Sequence, residues 1–349
     1  MELAHLIHQY LPACQAKYAN RLLPGHFKAI GALLRCRTPD AGQIRLRCTD
    51  CTEQLQYPHS CGHRSCPRCQ NHEASLWLDR QRAKLLPVEY FMVTFTLPHE
   101  LRTLAWRHQT VIYNILFATA SSTLKDFGIN SKHLGTDIGL TAVLHTHSRR
   151  LNYHPHLHVI VPGGGVDRAK RQWKKKKGKY LFNAFALAKV FRARFLAAMN
   201  TAELAIPDSL PDRWVVDCKH VGKGEPALKY LSRYLYRGVI SEKNIIANQH
   251  GKVTFRYVES TTGQSRTCTL NGEDFLWLVF QHVLPKGFRR VRDYGFLHGK
   301  AKKWLALVQL VLNVIAETKI PRPRPAFKCP KCQSPMQILG FGTPAWQSG

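Results

Sequence analysis

Apolar residues Leu6, Tyr10, Leu11, Tyr18, Leu22, Phe27, Ile30 and Leu33 recur at helical spacing among basic positions, which predicts short helices up to about residue 35. From Tyr90 the pattern becomes the β-rich run FMVTFTL, closed by Pro98, and then a helical stretch over residues 101 to about 122. A hairpin is expected next, with strands over residues 138–147 and 156–161, a polar turn over residues 148–152, and Pro162 with three glycines at its end. Helical spacing returns over residues 185–199 and 226–237, and residues 252–270 have the β-propensity of a late hairpin. Residues 163–179, with the lysine run 174–177, have the composition of a solvated connector, and contact with a DNA backbone is the sharper alternative. Residues 304–315 read as a core helix, and PRPRPAF after it as a stiff extended linker leading to CPKC and a mobile tail rich in Gly and Pro.

These patterns predict an α+β protein in three parts. Residues 1–88 are helical and cysteine-rich, residues 89–300 form the larger domain, and residues 301–349 hold a helix, the linker and the CxxC tail. A chain of 349 residues with 44% hydrophobic content buries a substantial core.

Charge changes the picture most. Fifty-one Lys and Arg against 22 Asp and Glu give a formal charge of +29, a field that attracts polyanions. The charge is spread along the whole chain and does not form one amphipathic helix, which favours nucleic acid over a membrane surface as partner. The start MELAHLIHQYLPA lacks a basic segment followed by a long apolar one, and no stretch reaches the roughly 18 apolar residues of a membrane span. A cytoplasmic protein is expected, and with it a reducing compartment in which crowded thiols serve as metal ligands before they form disulfides.

Six of the eleven cysteines lie between Cys36 and Cys69. Cys48-x2-Cys51 and Cys66-x2-Cys69 are two knuckles, each able to present two thiolates, and the expectation is one tetrahedral zinc shared by these four. Cys36, His59, Cys61 and His63 are the alternatives, as replacement ligands or as parts of a second site. Such a zinc chiefly folds a segment too small to hold itself together. Arg45, Arg47, Arg64 and Arg68 around the thiolates are then candidate phosphate contacts. Cys329-x2-Cys332 supplies only half a site, which either recruits ligands from elsewhere or makes a partial ribbon with a partner.

In Asn152-Tyr153-His154-Pro155-His156-Leu157-His158, the last two histidines are two apart on a strand and share a face. Two such imidazoles hold a divalent ion with open positions, as a phosphate-polarising Lewis acid requires. If the hairpin turns between Arg150 and Leu151, His145 falls opposite His156 and becomes the third ligand, while His147 and His154 compete if the register slips by one. In Lys229-Tyr230-Leu231-Ser232-Arg233-Tyr234-Leu235-Tyr236-Arg237, Tyr230 and Tyr234 are four apart on one helix face. Taken alone, tyrosines at this spacing are usually core. Beside a metal-polarised phosphodiester they are candidate nucleophiles, with Lys229, Arg233 and Arg237 available to bind the DNA charge.

The knuckles, FTLPHELR from Phe95, HPHLHVIVPGGG from His154, the tyrosine helix from Tyr230 and HVLPKGFRRVRDYG from His282 together resemble one family over residues 14 to about 300. They look like the rolling-circle insertion-sequence transposases with an N-terminal zinc-binding domain and paired catalytic tyrosines. The resemblance implies a nuclease and relaxase fold, a central antiparallel sheet flanked by helices. It implies that His156 and His158 bind Mg²⁺ or Mn²⁺, that Tyr230 and Tyr234 are the nucleophiles, and that a 5′-phosphotyrosine forms on single-stranded DNA at the element's ends. A bacterial, nucleoid-associated enzyme follows from the same likeness. One departure is Ser65 in CGHRSC, where relatives carry histidine.

Two other readings compete. A replication initiator or conjugative relaxase shares the histidine pair and tyrosine chemistry, but the zinc knuckles favour a transposase. A non-catalytic zinc DNA-binding regulator accounts for the charge and the knuckles, yet leaves His156, His158 and the glycine turn unexplained.

Overall fold

The computed structural model describes residues 1–69, 71–130, 132–235, 238–259, 262–314 and 326–342. Helices α1 (Leu3–Tyr18) and α2 (Pro24–Arg35) come first, with Pro24 at the start of α2, where the helix needs no N–H. Strands β1 (Gln43–Cys48) and β2 (Gln54–Pro58) form a hairpin, followed by α3 (Asn71–Arg82). The larger domain then runs through β3 (Tyr90–Thr96), α4 (Arg102–Arg107), α5 (Gln109–Ile129), β4 (Leu140–His147) and β5 (Tyr153–Pro162). It continues with β6 (Gly164–Asp167), β7 (Gln172–Lys175), α6 (Ala184–Thr201), β8 (Val216–His220) and α7 (Glu225–Leu235). Next come β9 (Ile245–Gln249), β10 (Lys252–Val258), β11 (Ser265–Asn271), α8 (Gly272–Phe280), β12 (Val291–Tyr294), α9 (Lys302–Val311) and β13 (Met336–Gly342).

The centre is a five-stranded sheet in the order β12-β4-β5-β3-β8, antiparallel throughout. Period-two alternation gives its strands two unlike faces. Phe91, Val93 and Phe95 of β3, Ala142 and Leu144 of β4, and Leu157, Val159 and Val161 of β5 enter one core with α5 and α6, where Leu116, Phe117, Phe191 and Phe195 are fully buried. Each such aromatic or aliphatic side chain contributes on the order of 2 kcal/mol by leaving water. The opposite face takes Val143 and Ile160, covered by Ala227, Leu228 and Leu231 of α7 and Trp77 of α3. This face also carries the histidines, so α7 and the histidines meet because both belong to the same side of one sheet.

Helix α1 packs against elements of the larger domain. Leu3, Leu6, Ile7 and Tyr10 of α1 pack with Phe275, Leu276 and Phe280 of α8 and with Val253 and Phe255 of the β11-β10-β9 sheet. Residues 336–342 of the tail form β13, the edge strand of a β13-β1-β2 sheet, which pairs antiparallel with β1 from Cys48↔Met336 to Gln43↔Gly342, while the last residues, 343–349, and most of the expected linker, residues 321–325, lie outside the described residues.

Two further expectations are corrected. Residues 163–179 are not wholly a connector, since β6 and β7 pair over Gly164↔Lys175 to Asp167↔Gln172. Glycines permit this crossover: a Cβ on Gly163 would sit 2.7 Å from the Glu89 carbonyl oxygen, and one on Gly165 would sit 2.2 Å from Thr136 Oγ1. The apolar run from Trp304 is a surface helix, with Val308 buried but Leu310 and Val311 exposed, because only one of its stripes meets the core.

Candidate active site

The β4–β5 hairpin has the expected register, with His145 opposite His156. Its turn closes by Leu151 N–H donating to the Ser148 carbonyl, with Leu151 in the left-handed region at φ 65°. The end of α8 holds this turn from outside the hairpin. His282 Nε2 donates to the Leu151 carbonyl at 2.7 Å, and Gln281 Nε2 donates to the same oxygen at 3.1 Å. A bulge between His145 and His147 shifts the register, so that His147 pairs with Tyr153.

His145, His156 and His158 converge, with one ring nitrogen from each lying within 4.8 Å of the other two. Ring centroids are 5.3 Å apart for His145 and His156, 4.5 Å for His145 and His158, and 4.9 Å for His156 and His158. His147 and His154 line the same cleft without joining the three.

Hydrogen bonds fix which nitrogens face the cleft. His156 Nδ1 lies 2.7 Å from the His154 carbonyl, which only accepts, so Nδ1 carries the proton and Nε2 keeps its lone pair. His158 Nδ1 lies 3.1 Å from Thr94 Oγ1 on β3, and donation to that hydroxyl leaves its Nε2 free in the same way. Beside them, Arg102 donates to His154 Nδ1 at 2.9 Å.

Burial disfavours charge on all of these rings. His145 is held well below the usual imidazole range by burial and then by the positive charge His158 and His156 would carry. Burial first, then His156, brings His158 down to about 3, and burial, His156 and Arg102 bring His154 down to about 4. His156 is lowered by burial, against the opposing effect of its bond to the His154 carbonyl. At neutral pH the cluster is three neutral imidazoles, the protonation state that binds metal. A nitrogen donor set on a single face with open positions fits a divalent cation.

Tyr230 of α7 stands edge-on to His158, with ring centroids 6.2 Å apart. Both line a cleft of about 670 Å³ whose far wall is β10, with Phe255, Arg256, Tyr257 and Val258, and whose rim includes Arg149 and Asn244. This wall went unnoticed in the sequence, since nothing in the local pattern of β10 says which hairpin it will face. Thr94 and Arg102 were likewise passed over. Lys229 forms an ion pair with Glu225 at 3.2 Å on the helix surface. The side chains of Tyr234 and Arg233, and all of Tyr236 and Arg237, lie outside the described residues.

The four cysteines expected to share one zinc do not meet. Cys48 and Cys51 sit at the turn of the β1–β2 hairpin, whereas Cys66 and Cys69 lie beyond its open end with Cys36 and Cys61. The five residues of β2 separate the two ends by roughly 17 Å at ~3.4 Å per residue. Cys36, Cys61, Cys66 and Cys69 form one cluster, with Sγ···Sγ distances of 3.6 Å for Cys36 and Cys69, 3.7 Å for Cys61 and Cys69, and 3.7 Å for Cys66 and Cys36. Four sulfurs about 2.3 Å from one zinc stand about 3.8 Å apart, so the donor set and its spacing fit structural Zn²⁺. Arg64 and Arg68 are not free to hold phosphate. Arg64 donates to the carbonyls of Phe288 and Pro285, and Arg68 pairs with Glu242 and Glu2. Arg45 and Arg47 are exposed.

Comparison with known proteins finds two families and two curated relatives, all described as transposases. The family described as "Putative transposase" matches residues 139–304, and the family described as "Transposase zinc-binding domain" matches residues 6–97. The chain is similar to "Putative transposase y4qJ" of Sinorhizobium fredii, with 31% identity over 97% of this chain and 94% of that one. It is also similar to "Transposase for insertion sequence element IS801" of Pseudomonas savastanoi pv. phaseolicola, with 27% identity over 77% of this chain and 70% of that one. Among solved structures, the conjugative relaxase TrwC in complex with mutant oriT DNA matches with a TM-score of 0.29 and 13% identity, over 64% of this chain and 74% of that one. That likeness is too loose to equate individual residues. Among the described residues no helix is long and apolar enough to cross a membrane.

Proposed function

The chain belongs to the family of insertion-sequence transposases with an N-terminal zinc-binding domain, and we propose that it nicks and rejoins single-stranded DNA at the element's ends through a 5′-phosphotyrosine. The observation that supports this reading is the placement of Tyr230 edge-on to His158, beside three neutral imidazoles in one cleft.

His145, His156 and His158 are the residues that would hold Mg²⁺ or Mn²⁺. When bound, such an ion polarises the phosphate oxygens as a Lewis acid. The chain's own groups do the rest. The Tyr230 phenol oxygen attacks the scissile phosphorus, the bond from phosphorus to the 3′-oxygen breaks, and the proton lost by the phenol balances the one gained by the new 3′-hydroxyl. Because one phosphodiester replaces another, no energy-rich cofactor is consumed. Reversal of the step by a new 3′-hydroxyl joins the strand. Tyr234, four residues after Tyr230 in sequence, serves the strand-transfer step. Arg149 and Arg256 at the cleft attract the backbone, and Tyr257 offers a stacking surface for an unpaired base. The zinc-binding domain positions DNA without entering the chemistry.

The test uses labelled single-stranded DNA from the element's ends with Mg²⁺, read as a protein–DNA adduct that survives boiling in detergent. Wild type is expected to form the adduct, and His156→Ala and Tyr230→Phe to lose it while still retaining the strand. An adduct unaffected by either substitution defeats the assignment, and no adduct from wild type on the correct ends favours a DNA-binding regulator.

A further inference from the structure

The half-site at the far end of the chain finds its partner at the beginning. Cys329 and Cys332 approach Cys48 and Cys51, with Sγ···Sγ distances of 3.4 Å for Cys48 and Cys332, 3.6 Å for Cys51 and Cys329, and 3.7 Å for Cys332 and Cys51. These are again close to the ~3.8 Å edge of a zinc tetrathiolate, and far from the ~2.0 Å of a disulfide. Cys329 is fully buried, and all four thiols are unbridged.

The surroundings repeat those of the first cluster. The Asp50 N–H points at Cys48 Sγ at 3.4 Å, as the His63 N–H points at Cys61 Sγ at 3.4 Å, so each cluster has a backbone donor two residues past a cysteine. The tail makes its own tight loop, with Cys329 N–H donating to the Ser334 carbonyl and Gln333 N–H donating to the Cys329 carbonyl, both at 2.9 Å. Polar contacts then join the two loops. Ser334 Oγ bonds Asp50 at 2.5 Å, Thr49 Oγ1 donates to the Pro335 carbonyl at 3.0 Å, and Lys331 pairs with Glu53 at 2.5 Å.

From this geometry we propose that Cys48, Cys51, Cys329 and Cys332 hold a second zinc ion, which clasps the C-terminal strand onto the N-terminal domain. The apolar support for β13 is thin. Leu46, Cys48, Cys329 and Met336 are the buried residues of that small cluster, while Ile338 and Leu339 are about half exposed and Phe341 about two-thirds. Cys51 and Cys332 are 281 residues apart in sequence, and closing so long a loop costs entropy that metal ligation at this point offsets, adding to the ladder with β1 and to the small apolar cluster. The first cluster draws all its ligands from residues 36–69 and does not depend on the tail.

Native mass spectrometry and metal analysis of the full chain, purified under reducing conditions with zinc, test this. Wild type is expected to carry two zinc ions, the Cys329→Ser/Cys332→Ser variant one, and Cys332→His, which keeps a zinc ligand at an exposed position, two. Cobalt substitution of wild type should give twice the thiolate charge-transfer intensity per chain that the double variant gives. If the double variant does not fold, the wild-type stoichiometry and the Cys332→His variant still decide. One zinc in wild type, two zinc ions retained by the double variant, or a wild-type mass short of four hydrogens with no metal in the second cluster would each overturn the clasp.

Discussion

Thr94→Val isolates the group that orients one metal ligand without touching the ligand itself. The half-buried Thr94 Oγ1 lies 3.1 Å from His158 Nδ1, and valine keeps the volume of the side chain while removing the hydroxyl. Loss of one such hydrogen bond costs about 1 kcal/mol, or about fivefold. Nε2 of His158 keeps its lone pair only while Nδ1 holds the proton, so the unanchored ring also loses tautomer and orientation, and outer-shell partners of metal-bound histidines are typically worth 10- to 100-fold. A rise of about tenfold in the Mn²⁺ concentration giving half-maximal adduct formation is therefore expected, with little change at saturating metal. His156 is insulated from this perturbation because its own Nδ1 bonds the His154 backbone. Titration of adduct rate against Mn²⁺ makes the measurement, with thermal unfolding in chelator as the control for folding. An unchanged half-saturation point, or a fall only in the saturated rate, would refute the role given to Thr94.

Other expectations follow from the same geometry. His158 and His282 are both lowered to about 3 by burial, so the unfolded chain takes up protons first. Their contribution is intact above about pH 6.5 and falls below it by up to about 1.4 kcal/mol per pH unit for each ring, so urea midpoints in chelator should drop between pH 7.5 and 5.5, and equal midpoints contradict the burial argument. Gly165→Ala places a methyl 2.2 Å from Thr136 Oγ1 and 2.6 Å from the Asp137 carbonyl oxygen, and should destabilise the fold by at least about 2 kcal/mol, read by denaturant unfolding. His282→Ala removes the donor at 2.7 Å from the Leu151 carbonyl, and should weaken metal binding by loosening the hairpin turn, although it touches no ligand. Wild-type metal affinity in that variant would mean the turn is rigid by itself.

The histidine hairpin was legible because its information is local. Alternation along β5 puts Leu157, Val159 and Val161 on one face and His156 and His158 on the other, and the placement of the turn alone sets His145 opposite His156. The tyrosine helix was legible for the same reason, though its approach to His158 depends on Leu228 and Leu231 packing over Val143 and Ile160. What escaped was non-local. A CxxC spacing says that two thiolates share an ion, but not which other pair completes it. Here the partners of Cys48 and Cys51 lie near the other end of the chain. The β10 wall of the cleft and the packing of α1 on α8 were hidden likewise, because each depends on which surfaces meet after the sheets have formed.

Peptide mapping of the covalent adduct tests the central claim most directly, and trypsin separates the two candidate nucleophiles. Cleavage after Lys229, Arg233 and Arg237 gives Tyr230-Leu-Ser-Arg and Tyr234-Leu-Tyr-Arg. After nuclease digestion of adduct formed on single-stranded element ends, the account predicts a nucleotide's mass on the first peptide, on Tyr230. A nucleotide confined to the second peptide, or to residues outside both, would contradict it.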